Sequence, residues 1–323
     1  MPPEARGLRR DEVRLVVATV DGITETAFHD LGAHLEPGDL VVVNTSATLA
    51  AAVDGSRADG SLVTVHFSTR QDDGTWTVEV RPRVDAQGPV PDVHVGEALR
   101  LHEATLTVLA TPPGQHRLHR VAIDRPAREL MWDHGRPIRY GYVPRAWPLE
   151  TYQTLFAVDP GSAEMPSAGR PFTAELVADL ARRGVLVAPL TLHTGVSSQE
   201  PGEPPQPERL RVPATTASLV NHVRRTGGRV VAVGTTVTRA LESTVDSDGV
   251  VHAADGWTDL VLGPSRPACV VTGLVTGWHE PGTSHLDLLR AVAGEAMVTA
   301  AHDEAHRRGL HRHEFGDSCL LLP

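Results

Sequence analysis

Short runs of branched apolar residues alternate with helical periodicity over most of the chain, and one internal stretch alternates strictly by twos. Residues 13–20 read as a strand, and Asp21-Gly22 turns the chain into a second one at 23–28. The run at 40–43 is continuously apolar, as a strand buried on both faces would be, and it ends in Asn44-Thr45-Ser46. From 55 to about 136 the texture changes. Segments 62–67, 76–80, 99–109 and 119–123 alternate with period two, separated by Asp72-Asp73-Gly74, Gly88-Pro89 and Pro112-Pro113-Gly114. Helical spacing returns at 173–183, where Leu176, Val177 and Leu180 share a face and Gly184 follows. A strand at 185–192, a helix at 214–226, a strand at 230–233, a strand at 269–275, a long helix from Thr283 or Ser284 to about 308 and a last strand at 318–322 complete the pattern. The expected fold is an α/β main domain, residues 1–54 and 137–323, carrying an inserted small antiparallel β-barrel at 55–136. Residues 140–169, rich in proline and aromatic residues, read as a long binding loop.

The stretch 228–243, GRVVAVGTTVTRALES, is the most informative. A buried strand runs into Gly234, which permits a sharp turn, and the hydroxyl of Thr235 or Thr236 can cap a following helix. Arg239 and Glu242 lie three apart on that helix and share a face. Such a strand, turn and helix start suits the carboxylate, phosphate or ribose of a ligand. Other strands also end in polar residues: Asn44, His193-Thr194-Gly195 and Thr276-Gly277-Trp278-His279. Parallel neighbouring strands would gather these tips in one crevice.

Composition narrows the chemistry. The chain has 323 residues, enough for a large core, and a net charge of −10 that disfavours a sequence-independent nucleic-acid binder. All 30 basic residues are arginine, so Schiff-base lysine and P-loop lysine chemistry are excluded. Cys269 and Cys319 form no metal-binding spacing, and no metal is expected. No apolar run is long enough to span a membrane and the start has no secretory signal, so the expected compartment is the cytoplasm. His302, His306, His311 and His313 lack the His-Glu-x-x-His order of a zinc hydrolase and read as a solvated helix end.

The segments PGDLVVVN (37–44), Tyr152-Gln153-Thr154, PSAG (166–169) with Phe172-Thr173, TLHTG (191–195), VAVGTT (231–236) with Arg239 and LES (241–243), Thr276 with His279, Pro281 and Thr283-Ser284, and FGD (315–317) together resemble the S-adenosylmethionine:tRNA ribosyltransferase-isomerase family of queuosine biosynthesis. The resemblance implies an α/β domain with an inserted β-barrel. It implies S-adenosylmethionine as cosubstrate, its ribosyl part being transferred and isomerised onto a 7-aminomethyl-7-deazaguanine in tRNA, with adenine and methionine released. The sulfonium acidifies the adjoining ribose carbon, so a general base can take its proton, and a donor at an adenine nitrogen assists departure. Under that reading His193 and His279 transfer protons, and Glu242 orients Arg239 or meets a ribose hydroxyl. Gly234, Thr235, Thr236, Arg239, Gly195, Ala168 and Gly169 hold S-adenosylmethionine, and Asn44, Tyr152, Gln153, Phe172 and Asp317 hold the acceptor.

The sequence departs from the family pattern at Thr45-Ser46-Ala47 and Ala50-Ala51-Ala52, where two arginines are absent, at Arg170-Pro171, and at 196–200, while Glu208 matches a family glutamate. The acceptor therefore stays open between tRNA and a small molecule, with a non-catalytic S-adenosylmethionine-binding protein as the third reading. A monomer or weak dimer is expected.

Overall fold

The computed structural model describes residues 1–323 except 84–87, 113–115, 140–142, 144, 198–204, 280–283 and 313. In chain order the strands of the first part are β1 (Arg14–Thr19), β2 (Gly22–Ala27), β3 (Leu40–Asn44), β4 (Ser46–Thr48), β5 (Ala52–Ser56), β6 (Leu62–Arg70), β7 (Trp76–Pro82), β8 (Ala98–Leu101), β9 (Ala104–Ala110) and β10 (Leu118–Ile123). Then come α1 (Ala127–His134), β11 (Asp159–Ser162), α2 (Ala174–Arg182), β12 (Leu186–Leu192), β13 (Glu208–Val212), α3 (Ala214–Arg225), β14 (Val230–Val233) and α4 (Thr235–Glu242). β15 (Ala254–Thr258), β16 (Gly273–Gly277), α5 (Ser284–Arg307) and β17 (Ser318–Leu322) close the chain.

Nine strands form the main sheet in the order β15-β13-β12-β3-β14-β16-β17-β1-β2. β12, β3, β14 and β16 run parallel, so their carboxyl ends lie along one edge. The apolar runs of these strands follow from burial on both faces. Leu40 and Val42 face one core with Val230, Ala232, Val237 and Leu241, while Val41 and Val43 face the other with Phe28, Phe172, Leu176 and Leu180. The second unit is a closed antiparallel barrel, β10-β7-β6-β5-β8-β9, filled by Val53, Val65, Phe67, Trp76, Leu99, Leu106 and Val121 among others. Its first strand begins at Ala52, inside the stretch assigned from the sequence to the main domain.

Several elements differ from the sequence reading. The run 99–109 is two strands, broken where His102 adopts a left-handed φ of 54°. The strand expected at 269–275 is displaced to Gly273–Gly277, because the backbone at 269–271 is held by a side chain described below. Antiparallel β13 and β15 extend the sheet beyond its parallel centre, and neither was evident from periodicity. The loop read at 140–169 contains β11, which pairs in parallel with β4 beside the barrel. α1 lay unnoticed at the end of the alternating stretch. The long α5 is interrupted at Gly294, whose φ is 75°. The cap of α5 expected at Thr283 or Ser284 lies outside the described residues at 283. No helix among the described residues is long and apolar enough to cross a membrane.

Candidate active site

A cavity of about 610 Å³ opens at the carboxyl edge of the parallel strands. That is the size of an ordinary small-ligand site. Four stretches line it: 164–168, 194–197, 233–236 and 277–279, with His285 at the start of α5 and Leu260–Leu262 behind. Thr235 and His279, from β14 and β16, therefore share one hollow.

The turn into α4 carries the floor. Gly234 has φ 91°, a conformation that L side chains avoid, and a Cβ there would lie 3.2 Å from that of Ala168. Gly234 itself is the helix cap, and no side chain bonds the first turn. The hydroxyl cap expected from Thr235 or Thr236 does not form because both follow the cap position and lie inside the helix, and Thr236 Oγ1 accepts from Asn44 Nδ2 at 3.2 Å. Thr235, Thr236, Gly195 and Ala168 line the cavity as expected. Gly169 lies just behind it, packed against Thr154.

Arg239 and Glu242 occupy other roles than those expected. Arg239 Nε donates to the Leu260 carbonyl at 3.0 Å, Nη1 bonds Glu208, and Nη2 donates to the Gln206 and Thr258 carbonyls at 3.2 and 3.4 Å. Its donors are thus taken up by the wall, and it is not available to hold a ligand carboxylate. Glu208 completes the strut by accepting from Gly195 N at 3.1 Å. Burial pushes the Glu208 carboxyl up, and the Arg239 guanidinium pulls the other way. Glu242 faces away from the cavity. Its carboxylate accepts from Cys269 N, Val270 N and Val271 N at 2.9, 2.8 and 2.9 Å, which makes it a backbone anchor and neither a catalytic group nor an aid to Arg239.

His193 also lies outside the cavity lining. Its Nδ1 is 2.7 Å from Ser46 Oγ, which is 2.6 Å from Ser162 Oγ, which accepts from Thr194 N at 2.9 Å. A Cβ on Gly161 would come within 2.4 Å of the His193 ring, so the imidazole is clamped against bare backbone. Burial, then the charge of Arg128, holds its pKa below the ordinary value.

The five residues expected at the acceptor do not line the cavity. Asn44 donates to the Leu192 carbonyl at 2.8 Å and accepts from Leu192 N and Ser46 N, each at 3.0 Å, so it rivets β3 to β12. Gln153 pairs with the Thr48 backbone through both amide atoms, at 3.0 and 2.9 Å. Phe172 is core, edge-on to Phe28 and Phe156 at 5.2 and 5.3 Å. Tyr152 packs on Phe315, and burial pushes its phenol up to about 12. Asp317 accepts from Arg14 N at 3.0 Å, Arg14 Nη2 at 2.9 Å and His311 N at 2.8 Å. Arg170, one of the departures from the family pattern, is buried away from the cavity, pairing with Glu4 at 2.9 Å and donating to the Thr151 carbonyl at 3.1 Å.

What sequence reasoning missed is His285. Its ring stacks on that of His279, with centroids 4.4 Å apart and planes at 12°. Burial, then the charge of Arg239, holds His285 below its ordinary pKa. The signal was its place one residue beyond Thr283-Ser284. Glu164 and Glu314 also line the cavity. The barrel reaches the site through 196–197: Val196 N donates to Ser68 Oγ at 3.0 Å, and Arg117 Nη2 donates to the Ser197 carbonyl at 2.9 Å. Of the C-terminal histidines, His302 is not solvated as expected but sits edge-on to Trp278 at 5.2 Å. Among the described residues the one His, Cys, Asp and Glu cluster with ligand atoms within 4.8 Å is His102 and Glu103, between β8 and β9, with His134 at the end of α1.

A model of the family described as queuosine biosynthesis protein matches residues 2–321. The chain belongs to that family. It is 33% identical over 328 residues to the S-adenosylmethionine:tRNA ribosyltransferase-isomerase of Moorella thermoacetica, with 97% of this chain and 94% of the relative covered. The enzyme of the same name from Acidiphilium cryptum is 34% identical over 341 residues, covering 99% and 96%. The crystal structure of S-adenosylmethionine tRNA ribosyltransferase from Thermotoga maritima matches with a TM-score of 0.52 and 27% identity, over 97% of this chain and 93% of that one. The family segments at 166–168, 194–195 and 233–236 meet in the cavity with His279.

Proposed function

We propose that this protein transfers and isomerises the ribosyl part of S-adenosylmethionine onto a 7-aminomethyl-7-deazaguanine in tRNA, releasing adenine and methionine. The observation that carries this reading is the meeting of four family segments, at 166–168, 194–195, 233–236 and His279, around one cavity at the tips of parallel strands. The residues present fit the cosubstrate. The first turn of α4 has no side-chain cap, so its N–H groups suit a carboxylate or ribose oxygen, with the Thr235 hydroxyl beside them. Gly195 and Ala168 line the same cavity. The sulfonium makes the adjoining ribose carbon acidic. The chain then has to orient the sugar, exclude water and move a proton, for which the cavity wall offers the imidazoles of His279 and His285. No covalent nucleophile is needed, since the acceptor's amine attacks, and the absence of lysine is consistent with that.

The barrel and main domain form the two walls of the acceptor's approach in this reading, and the enzyme works as a monomer or weak dimer in the cytoplasm. The test is incubation with S-adenosylmethionine and tRNA carrying the precursor base, following adenine by chromatography and the modified nucleoside by mass spectrometry. Adenine release with modification of the tRNA is expected. Release with the free base alone would redirect the enzyme to a small molecule, and binding without release would leave a non-catalytic binder.

A further inference from the structure

The cavity wall holds two histidines, and they are not equivalent. His279 is tied down: its Nε2 lies 3.3 Å from Thr276 Oγ1, at the end of β16. His285, at the start of α5, is held by stacking on His279, and no side-chain hydrogen bond reaches its ring among the described residues. The remaining titratable groups lining the cavity are Glu164, Glu208, Glu314 and Arg239. Glu208 is occupied by Arg239 and Gly195 N, and Glu164 accepts from Ser197 N at 2.7 Å. A neutral imidazole with no protein hydrogen bond, on the wall of a ligand cavity, has a lone pair to offer.

We infer that His285 is the general base that takes the ribose proton of S-adenosylmethionine, and that His279 is the positioning residue that holds its ring. The inference rests on the proposed function. In the step, a C–H bond on the ribose carbon attached to the sulfonium breaks and its electron pair stays on that carbon. The proton joins the His285 lone pair, the imidazole becomes imidazolium, and the proton later leaves with the departing adenine. Two features support the assignment of roles. Burial and the nearby Arg239 keep His285 unprotonated, hence ready to accept, at neutral pH. The stack on His279, with centroids 4.4 Å apart and planes at 12°, fixes the plane of the His285 ring on the cavity wall.

The test uses the full chain. Hydrogen–deuterium exchange at the ribose carbon of S-adenosylmethionine in heavy water is followed by mass spectrometry, beside cosubstrate binding by calorimetry. His285→Gln is expected to bind S-adenosylmethionine within about threefold of the parent while exchange and adenine release fall by about 10²–10⁴-fold. His279→Gln is expected to weaken exchange less and to leave its pH dependence in place. The parent's exchange rate is expected to rise with pH along a limb that lies below the ordinary imidazole value of 6.5, and His285→Gln is expected to lose that limb. Exchange at the parental rate in His285→Gln overturns the inference. Should that variant not fold, the parent decides: a profile without a limb below the ordinary imidazole value overturns it equally. A parent that binds S-adenosylmethionine yet neither exchanges nor releases adenine with tRNA present refutes the proposed function itself, which is a different result.

Discussion

The wall formed by 277–279 with His285 and the ribbon formed by β4 and β11 are built from the same kinds of side chain near the carboxyl ends of the parallel strands. In the ribbon, His193, Ser46, Ser162 and Thr194 close a chain of short hydrogen bonds, and Gly161 lets the backbone cover the imidazole. In the wall, His285 has stacking and no side-chain hydrogen bond among the described residues, and the first turn of α4 has no cap. A polar group whose bonds are all met by protein stabilises the fold, whereas one left open to a cavity is free to meet a ligand. Arg239 and Glu242 stand on the closed side of that division although they sit on the helix that floors the cavity.

The division predicts where each substitution is felt. The largest effect separates the two histidine sites: His279→Ala is expected to lower adenine release by at least about 10²-fold, and His193→Ala by less than about tenfold, measured as kcat under saturating cosubstrate. Equal losses would erase the distinction. Next, Arg239→Ala leaves Glu208 buried without its cation and is expected to cost roughly 3–5 kcal/mol in denaturant unfolding. If instead stability holds and only the cosubstrate Kd rises, Arg239 is a ligand contact after all. Glu242→Ala strands three buried N–H groups and is expected to cost roughly 3 kcal/mol, with cosubstrate affinity retained in the folded fraction.

A pH test addresses the barrel's closed cluster. Burial pushes the Glu79 carboxyl up, but His66, Arg81 and Arg117 around it prevail and hold it at about 2, against an ordinary 4.5. Because the folded value is depressed, this contribution is present above about 4.5 and is lost as pH falls toward 2. It amounts to about 3 kcal/mol, so Glu79→Gln is expected to flatten the acid-unfolding curve over that window. An unchanged curve would show that the cluster does not set acid stability. The smallest effect is His193→Ala on stability, about 1 kcal/mol, read as a fall of a few degrees in Tm.

The central strands were legible because burial on both faces demands uninterrupted branched residues, as in 40–43 and 230–233, and the barrel was legible from its alternation. β13 and β15 were not: β13 alternates over only five residues with the charged Glu208 at a buried position, and β15 carries Asp255 and Gly256 at the sheet margin. The meeting of 195, 235 and 279 followed from strands that are parallel neighbours. His285 was passed over because a histidine at a helix start has no periodicity of its own, and only the stacking with His279 distinguishes it.

By itself the sequence determined the layers, the parallel strand tips and the family, since these depend on local apolar pattern and on ordered motifs. The tertiary structure alone decided which polar residues are open. Arg239 is occupied by carbonyls at 206, 258 and 260, and Glu242 by N–H groups at 269–271, partners that no local spacing reveals. Hydrogen bonds form between groups brought together by folding, so whether a side chain is a strut or a reagent is settled by residues far away along the chain.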